Sequence, residues 1–107
     1  MSIKIRRGKS DQVIEQIMEE LRDFEEDHPN AQIELYRQNS VSVRIRIIDA
    51  DFSSQNQAER SKETWKYLNN LSNETQSDIS VLILLTPDET KTSLSSFDFE
   101  NPIRSRF

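Results

Sequence analysis

The chain has 107 residues, 34% hydrophobic and 31% charged, with a formal net charge of -5; this fits one domain with a thin core and disfavours nucleic-acid binding by generic phosphate neutralisation. It contains no cysteine and a single glycine, Gly8, which excludes disulfides, thiolate chemistry and the glycine-dependent phosphate loops whose backbone must approach a phosphate closely. No run of about 18 apolar residues and no signal-like apolar stretch occurs, so the expected location is cytoplasmic, without a membrane span.

Residues 1–9 alternate apolar and basic side chains (Ile3, Lys4, Ile5, Arg6) and are read as a basic arm or a short edge strand. Ser10-Asp11 offers an N-cap to a helix from Gln12 to about Asp27, whose apolar stripe is Val13, Ile14, Ile17, Met18, Leu21 and Phe24. His28-Pro29 stops it, with His28 expected to serve the helix end. Ala31, Ile33 and Leu35, then Val41, Val43, Ile45 and Ile47, alternate with polar residues around Gln38-Asn39-Ser40. That period of two predicts an antiparallel hairpin with one buried face, and an outer face placing Glu34 opposite Arg44 or Arg46.

Asp49 to Ser54 reads as a turn, with Asp49 and Asp51 as turn formers. A second helix from about Asn56 to Leu71 is predicted to bury Ala58, Ser61, Trp65, Leu68 and Leu71. Ile79 to Leu85 is strand-length and, with Ser80 its one polar residue, the most apolar run in the chain. If Ile79, Val81, Ile83 and Leu85 face the helices, Leu82 and Leu84 form an oily patch on the other face that needs a cover. The tail, with Phe97, Phe99, Ile103 and Phe107, and a partner subunit are the two available covers.

Few groups suggest chemistry. His28 is the only histidine, so no two-histidine metal site can be built, and the carboxylates lack the spacing of a ligand loop. No catalytic residue, metal ligand or cofactor is expected. The candidate partner-binding surface comprises Arg44, Arg46, Arg60, Leu82 and Leu84.

The order helix, hairpin, turn with Phe52, helix, apolar strand and Thr86-Pro87-Asp88-Glu89 resembles the BolA-like family. The carrying residues are Val43 to Asp49, Asp51 to Gln55, Glu59-Arg60, Trp65, Leu68 and Leu84 to Glu89. The resemblance implies a KH type II-like α+β fold over residues 10–90 and a non-enzymatic role with a protein partner, of glutaredoxin type in that family. The family's ligand histidine is replaced here by Ser61.

The expected architecture is therefore α-β-β-α-β: a three-stranded mixed sheet with two helices packed on one face. The 91–107 tail either folds back on the sheet or stays apart. The expected function is a small interaction protein that binds a protein partner or self-associates; the alternative is a KH-like nucleic-acid binder using the arginine-bearing surface.

Overall fold

A computed structural model of the chain describes residues 3–7 and 10–101; Gly8, Ile103 and Phe107 lie outside the described residues. The protein is α+β, with β1 (Ile3–Arg7), α1 (Gln12–Asp27), β2 (Gln32–Asn39), β3 (Ser42–Ile48), α2 (Gln57–Leu68), α3 (Asn73–Asp78), β4 (Ile79–Leu85) and α4 (Leu94–Glu100). Among the described residues the sheet has four strands in the order β1-β2-β3-β4. The expectation of three is corrected: Ile3 to Arg7 pairs parallel to β2 as an edge strand, because Ile3 and Ile5 continue the apolar rows of the sheet.

Local chemistry accounts for the elements. Asp11 caps α1 by accepting the Ile14 N–H at 2.9 Å, and Ile14, Ile17, Leu21 and Phe24 are buried on one stripe. Each such burial contributes roughly 1.5–3 kcal/mol. The His28 N–H closes the helix on the carbonyls of Phe24 and Glu25. The hairpin turn falls later than the alternation suggests: β2 runs on to Asn39, and Val41, expected in the second strand, lies in the turn, 66% exposed, its N–H held by the Asn39 side chain. Asn56 and Glu59 form a reciprocal capping box at the start of α2.

Two cross-strand rows line the inner face, Ile3–Ile33–Ile47–Leu84 and Ile5–Leu35–Ile45–Leu82. They pack with α1, Phe52, Leu68 and Leu71 in the main core. Leu82 and Leu84 thus point inward, which corrects their assignment to the outer surface. The reason is a bulge at the start of β4: Val43 pairs with Ile79, but Arg44 pairs with Val81. One extra residue reverses the phase of the strand, so Ile79 faces the core while Val81, Ile83 and Leu85 turn outward.

The buried face of α2 also differs from expectation. Arg60, Thr64 and Leu68 are buried, Ala58 is exposed, and Ser61 and Trp65 are half-buried. The stripe shifts because Arg60 finds acceptors beneath the helix that offset the cost of burying it.

Candidate functional site

The outer sheet face is covered by α4. Phe99 is fully buried against Tyr36, Val81, Ile83 and Leu85, its ring 4.8 Å from that of Tyr36. The Tyr36 hydroxyl donates to the Phe99 carbonyl at 2.8 Å. Ser93 caps α4 by accepting the Ser96 N–H. The same helix presents two large apolar side chains to solvent, Leu94 at 86% and Phe97 at 65% exposure.

Beneath α4 the arginines of β3 are engaged. Arg46, 3% exposed, donates to Glu34 Oε1 and Ser96 Oγ, both at 2.8 Å, and lies over the Phe99 ring. Glu34 sits directly across the sheet from Arg46 and also accepts from Arg6 at 2.7 Å. Burial works to raise the Glu34 carboxyl, but the hydrogen bonds from Arg46 and Arg6 outweigh it and hold it below the usual range. Arg44 donates to Asp98 at 3.0 Å. A free arginine surface on this face is therefore not what the fold builds.

Arg60 lies elsewhere. Its guanidinium, 4% exposed as a residue, donates to the carbonyls of Phe52, Gln55 and Leu84 and to both oxygens of Glu89. It clamps the β3–α2 connection to the end of β4. The five residues of the sequence-derived surface are thus not brought together: Arg44 and Arg46 share the outer face, Leu82 and Leu84 the inner core, and Arg60 the α2 junction.

A cluster missed by sequence reasoning sits where α1 meets the β3–α2 connection. Asp49 is fully buried; its Oδ1 caps the 3-10 turn Ala50–Ser54 by accepting the Asp51 N–H at 2.9 Å. Its Oδ2 is buried without a hydrogen bond and lies 3.8 Å from His28 Nδ1. On the other side of the imidazole, Nε2 is 3.5 Å from Glu63 Oε1, and the ring stacks on Phe24 at 4.2 Å. Possible ligand atoms of His28, Asp49 and Asp51 lie within 4.8 Å of one another. The turn-forming role of Asp49 holds, but its second oxygen serves a different neighbour. The proximity of residues 28 and 49 leaves no trace in local spacing.

The fold and these contacts define an α+β protein of three layers, helices on both faces of a mixed sheet. No helix among the described residues is long and apolar enough to cross a membrane. Comparison with protein-family models and with curated proteins finds no match to the chain.

Proposed function

We propose that the chain is a non-enzymatic interaction module of BolA-like type that binds a protein partner or a second copy of itself through the outer side of α4. The observation that carries this reading is the pair Leu94 and Phe97, 86% and 65% exposed on a helix whose Ser96 and Phe99 are buried. Residues three apart are neighbours on a helix, so the two form one apolar patch. The BolA-like part rests on element order, with β2 and β3 antiparallel, β3 and β4 parallel, and α2 between the parallel strands. A glutaredoxin-type partner belongs to the resemblance alone. At the position of that family's ligand histidine, Ser61 offers a hydroxyl, a poor substitute for an imidazole as an iron ligand.

Nucleic-acid binding has no observation in its favour: Arg44, Arg46 and Arg60 are each paired with a carboxylate.

The test compares wild type with a Leu94→Ser/Phe97→Ser double variant by sedimentation velocity and by capture from native lysate. Self-association, or a captured protein, that is lost in a double variant with unchanged circular dichroism supports the proposal. A monomeric wild type whose captured proteins are the same as the variant's overturns it.

A further inference from the structure

We infer that His28, Asp49 and Asp51 form a binding site for a divalent metal ion of borderline softness, with zinc as the reference case. The geometry starts from Asp49. Its side chain is fully buried, one oxygen is committed to the Asp51 N–H, and the other makes no hydrogen bond. A buried carboxylate oxygen in that state calls for a positive partner. The partner position is defined by His28 Nδ1, 3.8 Å away. That is too long for a hydrogen bond. It is close to the separation of about 3.4 Å between two ligands at tetrahedral zinc, which follows from zinc–nitrogen and zinc–oxygen bonds of roughly 2.0–2.1 Å.

The surroundings point the same way. Glu63 Oε1 stands 3.5 Å from the opposite ring nitrogen, which is buried and makes no hydrogen bond, so the ring presents Nδ1 toward Asp49 with a second carboxylate behind it. Asp51, exposed and with a carboxylate oxygen within 4.8 Å of the other two ligand atoms, becomes the third ligand by a small inward rotation of its side chain. His28 is the C-cap of α1, whose last turn has no basic side chain, and a cation there meets the negative end of the helix dipole. One imidazole nitrogen and two carboxylate oxygens suit zinc and neighbouring first-row ions better than soft monovalent copper. The bound ion would tie the end of α1 to the connection that leads into α2.

Because the chain has one histidine and no cysteine, its imidazole nitrogens give a single, unambiguous NMR signature. Zinc is titrated into the full-length, metal-stripped protein and followed by long-range proton–nitrogen correlation and by calorimetry. The expected result is saturable one-to-one binding with Nδ1 of His28 coordinated and Nε2 protonated. Asp51→Asn, at an exposed position, is expected to lower affinity roughly tenfold or more, and His28→Gln to abolish binding, both with unchanged circular dichroism. No His28 shift up to about 1 mM zinc, coordination through Nε2, or an affinity untouched by Asp51→Asn each overturns the inference.

Discussion

Arg60 is a cation placed under a helix, and what makes its burial tolerable is the density of acceptors around it. Three backbone carbonyls and the Glu89 carboxylate receive its N–H groups, so no charge is left uncompensated. The effect is felt by the partner. The Arg60 hydrogen bond, followed by the Thr86 N–H, lowers the Glu89 carboxyl from 4.5 to about 2. A carboxyl depressed in the folded state contributes stability above its unfolded value, and that contribution is lost as the pH falls. Glu89→Gln is therefore expected to be less stable than wild type at neutral pH, with the difference shrinking between pH 4.5 and about 2. Chemical denaturation across that pH range measures it. Glu89 is 42% exposed, so solvent screening keeps the effect well below what the shift alone implies. Arg60 stands at the start of α2, three residues before Glu63, yet its ionic partner is Glu89. Helical spacing reveals a neighbour three residues on; it does not reveal one brought in from beyond β4.

At the scale of elements, α4 depends on the sheet. Seven residues are too few for a helix to persist alone, and Phe99 supplies the anchor. Phe99→Ala is expected to destabilise the protein by about 3–5 kcal/mol, read as a lower urea midpoint, whereas Leu94→Ala on the exposed side should shift it by no more than about 0.5 kcal/mol. An equal effect of the two substitutions would show that α4 does not pack as described. The need for a cover over β4 was legible in the apolar run Val81 to Leu85. Which residues required covering was not, because a strand apolar on both sides carries no phase of its own. The bulge between Ile79 and Val81 sets that phase through pairing with β3.

For the molecule as a whole, acidic charge and sequestered arginines act together. The net charge is -5, and the cations suggested as a nucleic-acid surface face carboxylates within the fold. Short RNA and DNA are expected to show no detectable binding in a salt-titrated assay at about 50 mM salt. Binding whose affinity falls steeply with added salt would contradict this. The arrangement also explains the thin composition of the core: one set of apolar rows is shared with α1 and α2, and a smaller set with α4.

Periodicity, caps and breakers were enough to place α1, the hairpin, the second helix and the last strand, since each is written in side chains adjacent along the chain. Asp11, Pro29, Asn56 and the alternation of Ile33 to Ile47 are signals of that kind. Tertiary pairing decided the rest: the fourth strand, the inward turn of Leu82 and Leu84, the partner of Arg60, and the meeting of His28 with Asp49. These depend on register and on contacts between distant segments, where a one-residue bulge reverses a face and a buried oxygen finds its neighbour only after the sheet and helices have closed around it.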